Sequence, residues 1–390
     1  MTLKERALKQ LEERRDKLLN GGINSIPSPF KRFSTEFLGI EQGKYYVVTS
    51  STKVGKSQLT SFLFLYTPLL YAYNHPDKMR LKIFYYPLEE TPEDIMHRFM
   101  SYLLFKLSNS VIRVSPTQLK SSDNYPISEN VLDLLKSEEY TKILEFFEKT
   151  VEFSSSRNAT GMYKEVRKYL EDNGTTHYKK QKIKNDYGQT IEVNAFDYYE
   201  PNDPDEYVIV IYDHVSLTIP EQGFTLKQSV DKVSEYFVLL RNRYKVSPVL
   251  IQQQSFELES LDAFKNNKLR PTAQGLSDSK YPSRDCNCLL GIFSPFKHEL
   301  PEYKGYNITI FKDKIRFLEV ILNRGGSAGG LVALFFDGAV CDWVELPRPD
   351  DKRALDKVYE YIRKLDHPIV SKTFFSMLKE IYNIKKLFKK

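Results

Sequence analysis

The residues best suited to phosphate chemistry form one loop, Ser50-Ser51-Thr52-Lys53-Val54-Gly55-Lys56-Ser57, between an apolar run and a helix-like segment. In such a turn, backbone N–H groups hold phosphates, a lysine reaches the β- and γ-phosphates, and a hydroxyl binds Mg²⁺. Gly55, Lys56 and Ser57 supply the last part of the pattern G-x-x-x-x-G-K-[ST]. Ser50 stands where that pattern has its first glycine. The loop therefore predicts that the chain binds ATP with Mg²⁺.

Two acidic residues lie where apolar runs end. Glu89 follows the second run, and Asp213 follows the apolar residues of the third. A carboxylate at Glu89 can orient and deprotonate the water that attacks the γ-phosphate. A carboxylate at Asp213 can lie on the Mg²⁺ side of the nucleotide. The ordinary alternatives are an acidic first helical turn, which suits Glu90 and Glu93 better, and a solvent-facing acid at a strand end. We favour the chemical interpretation for Glu89 and Asp213.

Two further positions can take part in the same chemistry. The fourth apolar run ends in three glutamines, and a glutamine there can sense the γ-phosphate. Strand alternation puts Gln252 and Gln254 on one face, but three consecutive glutamines leave the choice open. Arg324 follows another apolar run and precedes GGSAGG, a segment that can present it to ATP on a neighbouring subunit. The alternative is a surface arginine at a turn.

The elements that must position these residues are apolar strands that alternate with helical segments. This alternation predicts an α/β fold, a RecA-like ATPase core with a mostly parallel central sheet flanked by helices. Right-handed crossovers would place the carboxyl ends of the strands along one edge. Residues 107–172 are mostly helical in pattern, and 173–206 is a polar insertion that suits a surface hairpin. The predicted strands are 44–50, 82–90, 207–215, 247–254, 288–293, 317–323 and 331–338.

The two ends of the chain differ from this core, so we divide it into 1–22, 23–348 and 349–390. The first part is a charged helix over 3–19 with a narrow apolar stripe, which predicts docking on another surface. The last part is a basic helical tail. From residue 351 onward it carries 11 Lys/Arg against 5 Asp/Glu, which equals the net charge of +6 for the whole chain. A basic tail can hold a polyanion such as DNA, bind a partner protein, or pack on the core.

Composition excludes several classes of protein. No apolar run approaches the roughly 20 residues of a membrane span, so we expect no membrane contact. The charged N-terminus has no signal-peptide stretch, and three cysteines make no disulfide framework, so we expect a cytoplasmic protein. Cys286 and Cys288 form a C-x-C pair, but no second pair or nearby histidine completes a metal site. We interpret both as small residues on a buried strand.

The ordered set of motifs resembles the RecA-like motor domain of DnaB-type hexameric replicative helicases, particularly those of bacteriophages, over about residues 20–340. The segment GGINSIPSPFKRFSTEFLGIEQGKYYVV looks like the approach of that family to its nucleotide loop. The other matching segments are YYPLEETPEDIMHRF, VIVIYDHVSL, PVLIQQQS, LRPTAQGLSDSKYPSRDCNCLLGIF and EVILNRGGSAGG. In that order, they resemble the family's segments with the catalytic glutamate, the Mg²⁺-side aspartate, the sensor glutamine, the DNA-facing loop and the arginine finger.

The resemblance implies a role for each matching position. It makes Glu89 the catalytic base, Asp213 a Mg²⁺ ligand beside Ser57, and Gln254 the sensor. It makes Arg324 the finger that acts on the ATP of the neighbouring subunit. It places Ser277, Asp278, Ser279 and Lys280 against the DNA backbone. The implied assembly is a homo-hexameric ring that moves on single-stranded DNA and unwinds duplex by strand exclusion, with a primase or a helicase loader as a possible partner.

Three departures from the family pattern keep other interpretations open. Leu322 stands where the family often has a lysine, and Ser277 replaces an arginine of the DNA loop, so phosphate contacts would depend on Lys280 and backbone amides. We also expect no N-terminal collar domain, only the helix over 3–19, which looks like the family's linker helix. The alternatives are a RecA-like recombinase that forms filaments, and an ATP-binding loader or regulator with little hydrolysis.

Overall fold

A computed structural model describes residues 2–184, 187–255 and 269–366 of the 390-residue chain. The basic tail beyond residue 366, including the apolar spacing of its last helix-like segment, lies outside the described residues. Within them, no helix is both long enough and apolar enough to cross a bilayer.

A nine-stranded sheet forms the centre of the molecule. Six neighbouring strands run parallel, and three antiparallel strands extend the sheet on one side of them. This confirms the mostly parallel α/β fold. In spatial order the strands are β15 (Asp342–Glu345), β14 (Leu331–Asp337), β13 (Ile315–Asn323), β10 (Cys288–Phe293), β3 (Tyr46–Ser50), β9 (Ser247–Gln253), β8 (Glu206–Asp213), β4 (Arg80–Pro87) and β5 (Val151–Phe153).

Helices cover both faces of this sheet, which is why its central strands are apolar throughout rather than alternating. One face packs on helices between residues 56 and 150, and the other packs on the helices at 159–172 and 226–244. Neighbouring residues of β8 show the division, since Ile211 belongs to the first core and Tyr212 to the second. The helices are α1 (Leu3–Leu19), α2 (Lys56–Ser61), α3 (Thr67–Asn74), α4 (Pro92–Leu107), α5 (Pro116–Leu119), α6 (Glu129–Leu135), α7 (Glu138–Thr150), α8 (Ala159–Asp172), α9 (Leu226–Tyr244), α10 (Tyr281–Asp285), α11 (Ile308–Phe311) and α12 (Lys352–Asp366).

Short elements complete the architecture. A π-helical turn, Phe62–Tyr66, joins α2 to α3, so residues 56–74 form one continuous helical segment. A 3₁₀ turn, Val215–Leu217, follows β8 directly. In the part of the chain that the structure describes, three small antiparallel pairs lie outside the central sheet. They are β1 (Ser25–Pro27) with β2 (Gly39–Glu41), β6 (Gly174–Lys184) with β7 (Thr190–Pro201), and β11 (Glu302–Tyr303) with β12 (Tyr306–Asn307).

The polar insertion and the N-terminal helix have the predicted local structure. The hairpin of β6 and β7 lies within 173–206, and α1 covers the whole of 3–19. The side chains of α1 are mostly exposed, and Leu11 keeps 65% of its surface accessible. Ion pairs, Arg6 with Asp197 of β7 among them, tether α1 to the rest of the chain. An amphipathic helix with exposed leucines still offers an apolar stripe for another surface.

Two parts of the sheet differ from the sequence prediction. The interval 107–172 was expected to be mostly helical, but Val151–Phe153 is an edge strand that pairs with β4. β14 and β15 are antiparallel to their neighbours because their connections are short, residues 324–330 before β14 and 338–341 before β15. β13 is also antiparallel to β10, although the longer stretch 294–314 joins them. Parallel neighbours need a crossover of a dozen or more residues. Because these strands alternate in direction, the end of β13 lies at the opposite edge of the sheet from the end of β10.

Candidate active site

The predicted phosphate-binding loop joins the end of β3 to the start of α2 at the carboxyl edge of the parallel strands. Gly55 precedes α2 with φ 103°, a left-handed backbone conformation that glycine adopts without strain. A Cβ at Gly55 would also lie 3.4 Å from the indole ring of Trp343. The glycine is therefore required at this position by its backbone conformation, because a Cβ would make only an ordinary contact with the ring.

The side chains of the loop point in different directions. Lys56 is 8% exposed, and its Nζ donates to the carbonyl of Ser51 at 3.3 Å, so the ammonium group lies across the loop. Ser50 is buried, and its hydroxyl donates to the same carbonyl group at 2.7 Å. Lys53 is exposed with φ 57°. The ammonium group of Lys56 thus lies within the loop at the start of a helical segment, where phosphates bind in other proteins.

Asp213 lies at the end of β8, opposite the start of α2. The hydroxyl of Ser57 donates to its Oδ1 at 3.2 Å, and the hydroxyl of Tyr85 donates to its Oδ2 at 3.2 Å. Two oxygens bound to one Mg²⁺ at about 2.1 Å and at right angles lie about 3 Å apart. A serine hydroxyl and a carboxylate oxygen are also the hard ligands that Mg²⁺ prefers. These residues therefore fit a Mg²⁺ site.

Burial sets the charge state of this carboxyl group. Asp213 is 4% exposed, and its burial raises its pKa to about 7; the charge of Glu90 acts in the same direction. The hydrogen bonds from Ser57 and Tyr85 and the charge of Arg98 lower the pKa in part. A divalent cation beside the carboxyl group would favour its ionised form, because opposite charges stabilise each other at short range.

The two neighbouring glutamates after β4 have different surroundings. Glu90 accepts a hydrogen bond from Nη1 of Arg98 at 2.6 Å, in a two-pronged ion pair. The side chain of Glu89 is 58% exposed, and its Oε2 lies 3.7 Å from Nε2 of His214. Burial lowers the pKa of His214, while the charge of Glu89 raises it. Glu89 is thus the carboxylate that remains accessible at this edge, next to Asp213.

The three glutamines divide between the two faces of the sheet. Nε2 of Gln254 donates to Oγ1 of Thr49 at 2.9 Å and to the carbonyl of Thr272 at 3.1 Å, and the side chain is buried. Gln252 is also buried, and its Nε2 donates to the carbonyl of Ser279 at 2.9 Å. Both amides are held away from the phosphate-binding loop, so the sensor role of Gln254 stays a prediction.

Gln253 lies on the other face, which the sequence interpretation passed over. It pairs in register with Ser50, at the first position of the loop. In the β8–β9 pair Ile211 is opposite Val249, so Asp213 and Gln253, each an even number of residues further on, share one face. Strand alternation alone could not show this, because the relation between Asp213 and the glutamines depends on the register between β8 and β9.

The predicted DNA-facing segment continues from the end of β9. The amide of Ser277 donates to the carbonyl of Gln253 at 2.9 Å, which joins the segment to that strand. Asp278 and Lys280 are exposed, whereas Ser279 is buried and its hydroxyl donates to Asp231. An open groove of about 600 Å³ runs beside this segment. The contact of these four residues with DNA stays a prediction, and the buried position of Ser279 offers least surface for it.

Arg324 lies at the opposite edge of the sheet from the loop. Asn323, the last residue of β13, pairs with Cys288 at the start of β10, whereas Ile292 near the end of β10 pairs with Ser50. The guanidinium of Arg324 is exposed and donates to the carbonyl of Cys286 at 2.9 Å. The structure therefore does not bring Arg324 together with the other site residues of the same chain.

Two basic residues near the loop were not identified from the sequence. Arg316 of β13 is 1% exposed, and its Nε donates to the carbonyl of Val54 at 2.8 Å. Nζ of Lys297 donates to the carbonyl of Thr52 at 3.0 Å from outside the loop. An arginine inside an apolar strand was a usable signal for Arg316. Nothing in the pattern around Lys297 indicated its contact.

The two cysteines of the C-x-C pair lie where the sequence predicted, buried at the start of β10. Burial raises the pKa of the Cys288 thiol to about 12, so the thiol is protonated at neutral pH. Among the residues that the structure describes, no group of His, Cys, Asp and Glu side chains could hold a metal ion by itself. The cysteines are part of the core packing.

Comparison with known proteins gives fold relatives only. No family model matches the chain, and no curated protein matches it in sequence. Among solved structures, one ATPase domain matches with a TM-score of 0.60 and 14% identity, over 89% of this chain and 99% of that one. A DnaB-like replicative helicase, solved in a study of its interactions with primase, matches with a TM-score of 0.58 and 13% identity, over 88% of this chain and 67% of that one.

Both matches cover most of the chain, and at these identities they establish the fold. The chain therefore shares its fold with that ATPase domain and with that DnaB-like replicative helicase.

Proposed function

We propose that this protein is an ATP-dependent DNA helicase of the DnaB type, which moves as a ring on single-stranded DNA and unwinds duplex by strand exclusion. The observation that carries this proposal is the convergence of Lys56, Ser57, Asp213 and Glu89 at one edge of a RecA-like sheet. These are the groups that phosphoryl transfer from a nucleotide needs.

In the proposed reaction, Lys56 and the loop amides bind the β- and γ-phosphates, and Ser57 and Asp213 hold Mg²⁺. When bound, Mg²⁺ neutralises the charge that develops on the phosphate oxygens. Glu89 orients the attacking water and accepts its proton. Its exposure supports this role, since Glu90 is engaged by Arg98 and Glu89 is not.

The proposed assembly is a homo-hexamer with ATP at each subunit interface. The position of Arg324 supports it, because an arginine at the edge far from its own loop can reach a phosphate only on a neighbouring copy. An arginine finger that acts in this way is worth roughly 10³–10⁵ in rate in other phosphoryl-transfer systems. The exposed leucines of α1 offer a further surface for contact between copies.

The proposed DNA contacts are made by the segment Ser277–Lys280, which joins directly to the end of β9. Contacts with the phosphate backbone would make binding salt-dependent and largely independent of base sequence. We place the protein in the cytoplasm, and the host cytoplasm if it is viral, with a primase or a helicase loader as a possible partner. The fold relative solved in a study of its interactions with primase motivates that last suggestion.

The test is ATP hydrolysis by the purified protein with and without single-stranded DNA, using Lys56→Ala as the inactive reference. Lys164→Ala, an exposed lysine on α8, is the matched control. We expect DNA to stimulate hydrolysis by the wild type and the control and to have no effect on Lys56→Ala. ATP binding without turnover in either condition would refute the helicase and favour a regulator.

A further inference from the structure

Four consecutive residues, 213–216, touch three separate parts of the proposed machinery. Asp213 receives the hydrogen bond from Ser57 at the Mg²⁺ site. His214 faces Glu89, with Nε2 of the imidazole 3.7 Å from Oε2 of the carboxylate. The hydroxyl of Ser216 donates to Oδ2 of Asp278 at 2.6 Å, within the proposed DNA-facing segment. Metal site, catalytic carboxylate and DNA loop thus meet on one short stretch of chain.

Hydrogen bonds and packing tie this stretch to its neighbours. It runs from the last residue of β8 into the 3₁₀ turn Val215–Leu217, where the amide of Leu217 donates to the carbonyl of His214 at 3.1 Å. The side chain of Val215 is fully buried in the core beneath the turn. The carbonyl of Asp213 accepts a hydrogen bond from the amide of Leu88 at 2.7 Å, immediately before Glu89. The stretch therefore connects Ser216 with His214 and with the start of the glutamate segment.

The His214 side chain has few other polar contacts. It is largely buried, and within the described parts of the chain its Nδ1 has no hydrogen-bond partner. The carboxylate of Glu89 lies beside its Nε2, and the Glu89 side chain is otherwise exposed. The imidazole is thus a buried neighbour against which the exposed glutamate side chain can be oriented.

We propose that residues 213–216 couple the DNA-facing segment to hydrolysis, with His214 as a positioning residue for Glu89 and the Ser216–Asp278 hydrogen bond as the link. The proposal rests on the proposed function. A DNA phosphate that approaches the segment repels the exposed carboxylate of Asp278. The displaced carboxylate moves Ser216 through the hydrogen bond between them. The turn then shifts, and His214 changes the orientation of Glu89 toward the attacking water.

The role of His214 is tested by steady-state ATP hydrolysis of two variants with DNA present. We expect His214→Ala to lower kcat roughly 10- to 100-fold, the cost of a misplaced catalytic group, and to leave KM for ATP within about twofold. His214→Gln, whose side-chain amide can take the place of Nε2, should recover most of kcat. A raised KM at unchanged kcat, or no recovery in His214→Gln, would overturn the positioning role.

The link is tested with Ser216→Ala, beside a matched control, Ser34→Ala. The hydroxyl of Ser34 also makes a single hydrogen bond, to the carbonyl of Lys31, on another part of the surface. Three quantities are measured: the basal rate, the stimulation by oligo(dT), and the Kd for a fluorescent oligo(dT). We expect Ser216→Ala to keep the basal rate and the Kd within about twofold and to lose most of the stimulation, while Ser34→Ala keeps it.

The outcomes separate this proposal from the function on which it rests. A wild type that DNA does not stimulate would overturn the proposed function and the coupling together. A stimulated wild type with an equally stimulated Ser216→Ala would overturn the coupling alone. The double variant Ser216→Ala/Asp278→Ala gives an independent check, because two partners of one link must show a non-additive loss of stimulation. Additive losses would also contradict the link.

Discussion

At the scale of single residues, Asp213 has to meet two opposing requirements. Its position at the end of a buried strand fixes it opposite Ser57, but burial raises its pKa to about 7. A metal ligand must be ionised, so the site favours the neutral carboxyl group until a cation binds. The hydroxyls of Ser57 and Tyr85 reduce this penalty because both donate to the carboxylate oxygens.

This raised pKa predicts a loss of stability with rising pH in the absence of divalent cations. Between the unfolded pKa of about 4 and the folded pKa of about 7, the folded state binds more protons than the unfolded state. The contribution of Asp213 is thus present at low pH and lost as pH rises through 7. Relative to Asp213→Asn, we expect the free energy of unfolding of the wild type to fall by up to about 4 kcal/mol between pH 4 and pH 8.

The measurement is urea unfolding of both proteins in EDTA across this pH range. Asp133→Asn, which replaces an exposed carboxyl group on α6, serves as the matched control and should follow the wild type. A constant difference in unfolding free energy between the wild type and Asp213→Asn across the range would show that this carboxyl group does not titrate as its burial requires.

At the scale of elements, the antiparallel strands β13–β15 support the phosphate-binding loop from one side. Arg316 of β13 donates to the carbonyl of Val54, and its guanidinium lies 5.1 Å from the centre of the Phe336 ring. Phe336 stacks on Trp343 at 4.2 Å, and the indole ring faces Gly55. The part of the sheet that departs from the parallel pattern therefore shapes the loop.

Replacement of Arg316 tests this support. Arg316→Met removes the hydrogen bonds to Val54 and to the backbone near Asp313, leaving buried carbonyls unsatisfied. We expect a loss of about 2–4 kcal/mol in unfolding free energy and a raised KM for ATP. Arg270→Met is the control, since Arg270 is an exposed arginine paired with Glu319 at 3.2 Å and should cost at most about 1 kcal/mol. Equal losses for the two variants in denaturant unfolding would contradict the support.

The same comparison shows which elements the sequence could predict. The loop from Ser50 to Ser57 and the parallel strands were identified because their signals are local: an apolar run, a glycine, a lysine and a hydroxyl in fixed order. The contact between Arg316 and Val54 spans 262 positions, so no local pattern encodes it. The edge strand β5 was assigned to a helix because Val151–Phe153 continues the apolar spacing of α7.

The placement of the three glutamines could be predicted from the sequence only in part. Alternation correctly put Gln252 and Gln254 on one face, but it did not say which face carries the loop. That information comes from the register between β8 and β9, which depends on tertiary packing. The accessible Glu89 and the engaged Glu90 likewise differ in their tertiary contacts, since Glu90 pairs with Arg98 of α4 and Glu89 faces His214.

At the scale of the whole molecule, the proposed active site is divided between two edges of the sheet. Lys56 and Asp213 lie at the carboxyl edge of the parallel strands, and Arg324 lies at the amino edge. The five residues of β3 separate these edges by roughly 16 Å at the rise of an extended strand. A ring in which each copy presents one edge to the next would complete the site at every interface.

This arrangement predicts that two inactive variants restore hydrolysis when they are mixed. Lys56→Ala lacks the nucleotide half of an interface but keeps Arg324, and Arg324→Ala has the reverse defect. In rings of equal and random composition, roughly a quarter of the interfaces combine an intact loop with an intact arginine. We therefore expect ATP hydrolysis of the co-purified mixture to recover a fraction of that order, while each variant alone stays inactive.

A second mixture tells complementation between subunits from simple stabilisation of the ring. Lys56→Ala with Asp213→Asn places both defects in the same nucleotide half, so each interface keeps its arginine but none has an intact phosphate and metal site. That mixture must stay inactive. If it recovers as well, or if Arg324→Ala alone hydrolyses ATP at the wild-type rate, the arginine is not donated across an interface. If only the first mixture recovers, the functional unit is the interface between two copies rather than the single chain.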